Sequence, residues 1–187
     1  QIEIPDKLIP VFEGEADVRG AEGGRGSAKT RSFAKMCAVQ GYIHGNAGQS
    51  GIILCARQFM NSLDDSSLEE VKRAIEDEPF LAAYYEVGEK YIKSRDGRIN
   101  FTFAGLDRNI ASIKSKGRLL LCWVDEAEPV TDEAWLTLIP TLREEGSDWN
   151  AELWVTWNPK RKQAAVEKRF RGSTDSLVKS VELNWRD

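Results

Sequence analysis

Cysteine, histidine and long apolar runs are all scarce in this chain, and each scarcity closes a class of explanation. The 187 residues include three cysteines and one histidine. Cys37, Cys55 and Cys122 stand far apart, are odd in number and form no CxxC pair. That excludes a disulfide scaffold and a zinc ribbon, and it fits a reducing compartment. A lone His44 cannot build a multi-histidine metal site, and it makes a Ser–His–Asp relay a poor expectation. The longest apolar run, Leu119–Val124, is far short of the ~20 residues a membrane span requires, so no membrane partner is expected. No Arg-rich leader or signal-like segment opens the sequence, so export is not expected either.

What is present suits one soluble domain. Hydrophobic content of 41% and charged content of 30% are ordinary for a globular chain and argue against disorder. A chain of this length buries roughly 70% of the surface its unfolded form exposes, enough for a core without metal or disulfide support. The formal net charge of −4 hides strong segregation. Lys90 to Arg118 holds eight basic and two acidic residues, whereas Asp125 to Glu152 holds nine acidic and one basic. An acidic chain is not a general nucleic-acid coat. Its basic stretch, with Lys114 and Lys116, can be read as a contact for DNA or a neighbouring subunit, or equally as a solvated hairpin face.

Hydrophobic spacing predicts an irregular lead-in over 1–15, a strand over Asp17–Glu22 and a helix from Thr30 to about Gln40 with Gly41 as its stop. Gly51–Ala56 and Arg118–Asp125 read as buried parallel strands. A helix is expected over Asn61–Glu78, ending at Pro79, and a short one over Phe80–Val87. Asp96-Gly97 between Tyr91–Lys93 and Ile99–Phe103 marks a hairpin. Thr131–Leu138 reads as a helix capped by Thr131 or Asp132, Glu152–Thr156 as a strand, Gln163–Phe170 as a basic helix and Leu177–Leu183 as a last strand. The alternation predicts an α/β fold with a mainly parallel central sheet and one inserted antiparallel hairpin.

The chemistry concentrates in two motifs. Gly23-Gly24-Arg25-Gly26-Ser27-Ala28-Lys29-Thr30 nearly matches G-x-x-x-x-G-K-[ST], between a strand and a helix. Glycines let successive backbone N–H groups turn inward around phosphate oxygens, and the helix N-terminus faces the same anion. Lys29 would bridge the β- and γ-phosphates and the Thr30 hydroxyl would ligand Mg²⁺. The octet departs at Ala28, where the last glycine would stand; the added methyl is tolerated where φ is negative. Ninety-six residues beyond Lys29, the apolar strand ends in Asp125-Glu126, at the sheet edge where open α/β folds bind ligands. Asp125 would hold Mg²⁺ and Glu126 would orient the attacking water.

Three further groups are less defined. Trp154-Val155-Thr156-Trp157-Asn158-Pro159 ends the next strand, so Thr156 or Asn158 would reach a γ-phosphate or the water near Glu126; Asn-Pro is also an ordinary turn signal. Arg25, inside the glycine loop, would neutralise charge in the transition state or remain a solvated loop arginine. Arg57, after a buried strand, is placed to pair with a carboxylate near the site.

In this order, the glycine loop with its internal arginine, Gly105-Leu106-Asp107 after a hairpin, Asp125-Glu126-Ala127 and Thr156-Trp157-Asn158-Pro159 resemble the ATPase domain of the large terminase subunit of tailed double-stranded DNA phages. The resemblance runs from about Asp17 to Asp187. It implies a three-layer P-loop NTPase of the additional-strand catalytic-glutamate class, with ATP and Mg²⁺ as cofactors, occupying residues 1–187 as a single domain. It carries Gly23, Gly24, Arg25, Gly26, Ser27, Ala28, Lys29, Thr30 and Asn158 over as nucleotide contacts. Thr30 and Asp125 match the metal positions, and Glu126, Arg25 and Lys29 the catalytic ones. The implied activity is ATP hydrolysis driving double-stranded viral DNA into a procapsid, in the host cell cytoplasm. The implied partners are that DNA, the portal protein and the small terminase subunit. Self-association as a ring on the procapsid is implied too, the chain being a monomer in isolation. The family's metal-dependent nuclease domain has no counterpart carboxylate cluster here and is expected only in the full-length protein. Two rivals share the phosphate-binding residues: a helicase or recombination-type ATPase, and a non-catalytic nucleotide-binding assembly module, against which Glu126 argues.

Overall fold

The computed structural model describes residues 2–59, 67–107, 117–142, 151–160 and 162–187. Residues 61–66 of the expected helix, and Arg108, Lys114 and Lys116 of the basic stretch, lie outside the described residues. An eight-stranded sheet carries the fold: β1 (Val18–Glu22), β2 (Gly51–Arg57), β3 (Tyr85–Val87), β4 (Ile92–Ser94), β5 (Ile99–Gly105), β6 (Leu119–Val124), β7 (Glu152–Trp157) and β8 (Val178–Glu182). Their order is β3-β4-β5-β2-β6-β7-β1-β8. The five pairings from β5 to β8 are parallel, and β3 and β4 add an antiparallel edge. β7 therefore lies between the glycine-loop strand β1 and the carboxylate strand β6, the extra strand that the additional-strand class requires.

Helices cover both faces, giving the three layers. On one side α2 (Lys29–Asn46), α3 (Ser67–Glu76) and α4 (Pro79–Tyr84) bury Phe33, Cys37, Leu68, Val71 and Leu81 against Ile53, Leu121 and Trp123. On the other, α5 (Asp132–Thr141) and α6 (Ala165–Phe170) bury Trp135, Leu138, Val166 and Phe170 against Leu54, Val124 and Val155. The period-2 alternation along β2, β6 and β7 sends successive apolar side chains to opposite layers. One interruption occurs where β6 meets β2: Ile52 faces Leu119 but Ile53 faces Leu121, so Leu120 is an extra residue. The α5 N-terminus is capped as expected, the Thr131 hydroxyl accepting from Ala134 N–H at 3.2 Å.

Three expectations are corrected. The lead-in is not wholly irregular: a 3-10 turn at Asp6–Leu8 runs into a short helix, α1 (Ile9–Phe12). Pro10 suits its first turn because the missing N–H would have no partner there, and Arg19 Nη1 donates to Val11 O at 2.6 Å at its end. Gly41 does not stop α2, which continues to Asn46. A Cβ on Gly41 would lie 2.5 Å from the Tyr85 hydroxyl and one on Gly45 1.8 Å from that of Tyr84. The glycines allow close packing rather than ending the helix, and Tyr85 O–H donates to Ala38 O at 2.7 Å. Finally, the segment after Pro79 is helical only to Tyr84, and Tyr85–Val87 extends to pair with β4.

Candidate active site

The C-terminal ends of β1, β6 and β7 converge on a cleft of about 410 Å³. Its walls include Arg25 to Arg31 from the glycine loop and α2, Asp125 and Glu126 after β6, and Thr156 to Asn158 at the end of β7. Gly23 is held against Leu183, the residue that follows β8: its φ is +145°, and a Cβ there would sit 1.8 Å from Leu183 O. Gly26 (φ +79°) and Ala28 (φ +59°) complete the turn into α2. Ala28 thus adopts the left-handed conformation, not the negative φ under which its methyl is free of cost, and carries backbone strain that glycine would lack.

Lys29 points back under the loop. Its ammonium donates to Gly23 O (2.8 Å), Gly24 O (2.9 Å), Ser27 Oγ (2.8 Å) and Asn158 Oδ1 (3.2 Å). Burial lowers its pKa from the ordinary value, opposed by the nearby Glu128 and Asp125 charges. Cationic donors at the floor of an amide-lined loop favour a polyanion.

Asp125 is buried at the end of β6 and fully partnered. Its Oδ1 accepts from the hydroxyls of Thr30 (3.1 Å) and Thr156 (2.7 Å). Its Oδ2 meets Arg57 Nη2 at 2.5 Å, with both side chains at most 6% exposed. Trp123 Nε1–H donates to Thr156 Oγ1 at 3.0 Å, which orients that hydroxyl toward Asp125. The next residue turns sharply: Glu126 has φ +49° and a side chain 58% exposed, with Arg57 Nη1 3.5 Å from its Oε2. Such left-handed residues concentrate at sites that must aim a group.

The structure thus brings Lys29, Thr30, Asp125, Glu126, Thr156 and Asn158 to one cleft, with Arg57 beneath the carboxylates. Of the two residues left open at the end of β7, Thr156 binds Asp125 and Asn158 binds Lys29. Arg25 lines the cleft but is exposed, and among the described residues it makes no hydrogen bond or ion pair. Glu128 escaped the sequence reading: its Oε1 accepts from Asn158 N–H at 2.8 Å, fixing the turn that presents Asn158 to Lys29. Acidic residues after a strand look like loop, and only the fold reveals this contact. Thr30 Oγ1 and Asp125 Oδ1 are two adjacent hard oxygen donors, a set that suits Mg²⁺ completed by phosphate oxygens and water. Among the described residues no group of three or more His, Cys, Asp or Glu side chains could hold a metal by itself.

Comparison with known proteins finds relatives of this chain and of its fold. A family model described as phage terminase large subunit matches residues 15–182. The large terminase of the thermophilic bacteriophage D6E superposes with a TM-score of 0.71 at 13% identity, over 99% of this chain and 46% of that one. Its complex with ATP-gamma-S gives 0.64 at 13% identity, over 97% and 42%. The large terminase ATPase domain of Thermus phage P74-26 gives 0.68 at 14% identity, over 96% and 80%. No curated protein sequence matches. The chain therefore spans less than half the length of the D6E terminase, and the likeness to these structures, at such low identity, is one of fold. No helix among the described residues is long and apolar enough to cross a membrane.

Proposed function

The chain belongs to the phage terminase large subunit family, and from that premise we propose that it is the ATPase unit of a genome-packaging motor. In this reading Mg²⁺-dependent ATP hydrolysis drives double-stranded viral DNA into a procapsid. The portal protein and small terminase subunit are partners, and a ring of copies is the working form. One observation carries the proposal: Thr30 and Asp125 oxygens meet at 3.1 Å beside the buried ammonium of Lys29, with the Glu126 carboxylate at the same rim. That grouping supports phosphoryl transfer, where positioning and electrostatics supply most of the catalysis.

Each residue has a distinct task. The loop N–H groups and Lys29 bind the triphosphate, Lys29 exchanging some of its loop acceptors for phosphate oxygens. Thr30 and Asp125 would hold Mg²⁺, which when bound neutralises phosphate charge. Arg57 and Thr156 keep the Asp125 carboxylate in one orientation. Glu126, exposed and aimed into the cleft, accepts a hydrogen bond from the attacking water and polarises it. Arg25 is free to swing onto the phosphates and stabilise charge that builds in the transition state. Asn158, bonded to both Lys29 and Glu128, links the end of β7 to the phosphate floor.

The test separates binding from chemistry. Glu126→Gln should retain binding of a fluorescent ATP analogue and lose phosphate release, whereas Lys29→Ala should lose binding itself. Near-wild-type phosphate release by Glu126→Gln would remove Glu126 from the mechanism.

A further inference from the structure

Away from the cleft, a second concavity opens beside α6, lined by Lys162, Glu167, Lys168 and Arg171. Lys162 and Lys168 are exposed, and among the described residues neither ammonium makes a hydrogen bond or ion pair. The basic residues of the β4–β5 hairpin are, by contrast, largely spent at home. Lys93 lies 3.4 Å from Glu86, Arg95 donates to Ala83 O at 3.0 Å, and Arg98 donates to Gly45 O at 3.2 Å. Unengaged cations at a concave surface are better placed to take up phosphates than cations already paired.

Arg171 gives this concavity its connection. Its guanidinium is shared by three carboxylates from different elements: Glu22 at the end of β1 (3.0 Å), Glu167 in α6 (3.2 Å) and Glu182 in β8 (3.4 Å). Three acidic partners leave the cluster two charges negative. Burial raises the pKa of Glu22; the Arg171 charge opposes this, and the neighbouring Glu167 and Glu182 charges add to it. Two routes lead from here to Lys29. Glu22 directly precedes Gly23, whose carbonyl binds Lys29. Glu167 Oε1 accepts from Trp157 Nε1–H at 2.8 Å, and Trp157 directly precedes Asn158, whose side chain binds Lys29.

We propose that Lys162, Lys168 and Arg171 form a binding site for the phosphate backbone of duplex DNA, and that Arg171 reports its occupancy to the loop holding Lys29. The partner's identity rests on the packaging-motor reading. Two free lysines give the site its affinity. A phosphate drawn in beside them competes with Glu22 and Glu167 for the arginine, and loosening those pairs shifts the base of the glycine loop and the end of β7 together.

The test uses the whole chain, with fluorescence anisotropy on a labelled duplex across a salt series. Lys162→Glu/Lys168→Glu should weaken binding at least tenfold and reduce the salt slope by about 2, as expected for two lost phosphate contacts. Lys90→Glu, exposed on the hairpin side and equally unpaired among the described residues, should change little. Saturating duplex should shift wild-type affinity for a fluorescent ADP by about fivefold or more, the lower range of allosteric couplings, and Arg171→Ala should abolish that shift. Circular dichroism melting curves certify that each variant is folded. Wild-type chain that binds ADP but not duplex, or a double variant that binds duplex normally, overturns the site. Duplex binding with no effect on ADP affinity overturns the role of Arg171. If the same lysines instead control self-association in sedimentation and leave duplex binding intact, the concavity takes an acidic surface of a second copy and the DNA assignment fails. Failure of wild-type chain to bind ADP would strike at the motor reading itself, a result distinguishable from the others.

Discussion

Ala28→Gly should stabilise this protein, although the residue is exposed and its side chain is a single methyl. Ala28 precedes α2 with φ +59° and ψ 9°, where a Cβ crowds the following carbonyl at a cost of roughly 1–2 kcal/mol. Glycine removes that cost but gains freedom in the unfolded chain, which offsets about 0.4–1 kcal/mol. The net expectation is about 0.5–1 kcal/mol of added stability. For a chain of this size that raises Tm by about 1–4 °C. The Ala28 carbonyl, which accepts from Ser32 N–H at 2.9 Å, keeps its bond in the variant, so no compensating loss is expected. Urea unfolding followed by circular dichroism should show a higher midpoint at an unchanged slope, the signature of altered stability rather than an altered denatured state. Ala28→Val supplies the opposite arm, because branching at Cβ makes positive φ worse. A glycine variant less stable than wild type, or a valine variant equal to it, would mean that residue 28 does not occupy the left-handed region in solution.

Other consequences are equally checkable. Gly23→Ala sets a Cβ on the Leu183 carbonyl, so it should lower Tm and abolish binding of a fluorescent ATP analogue; normal binding would refute the close approach of Leu183. Arg25→Ala should lower kcat of the assembled motor by ~10³-fold or more with little loss of ATP affinity. Arg25→Lys should not restore it, since an ammonium cannot reproduce a guanidinium fork; unchanged kcat would leave Arg25 as a solvated loop residue. Glu22 carries a pKa raised above the ordinary value of 4.5, so the folded chain binds that proton more tightly than the unfolded one. Stability from this group is therefore greatest at low pH and declines as pH rises from 4.5 through the raised value. Melting curves between pH 4 and 7 should show that decline in wild type relative to Glu22→Gln, and parallel profiles would refute it.

The parts of the site that were legible in the sequence are those written in local patterns. Gly23–Thr30 announces itself by glycine spacing, and Asp125-Glu126 by the apolar strand before it. The central strands were legible for the same reason, since continuous apolar runs bounded by polar residues leave little choice. Failures came where distant residues overrule a local rule. Gly41 has the signature of a helix end, yet Tyr85 packs on it from another element and the helix continues. Pro10 reads locally as irregular lead-in, yet Arg19, reaching out of β1, holds the carbonyls at the end of a short helix. Glu128 and Arg171 gave no sequence signal, because each matters only through a partner 30 residues away in one case and through three separate elements in the other. The negative φ that would have made Ala28 harmless depends on how the loop closes over Lys29, which no local pattern encodes.

The extra residue at Leu120 has a bearing on insertions and deletions. Because side chains along a strand alternate strictly, one residue added or removed reverses the facing of everything after it. In β6 the odd residue comes early, and Leu121, Trp123 and Asp125 then share the side that faces α2. Deleting Leu120 while keeping the strand's entry fixed would reverse that phase and bring Glu126 to the place where Thr30, Thr156 and Arg57 converge, leaving a longer carboxylate there and Ala127, which carries none, at the rim. Compensation would need a second single-residue change before position 125. Length changes in this strand should therefore be tolerated only in pairs, whereas the loop that follows Glu128 carries no such parity constraint.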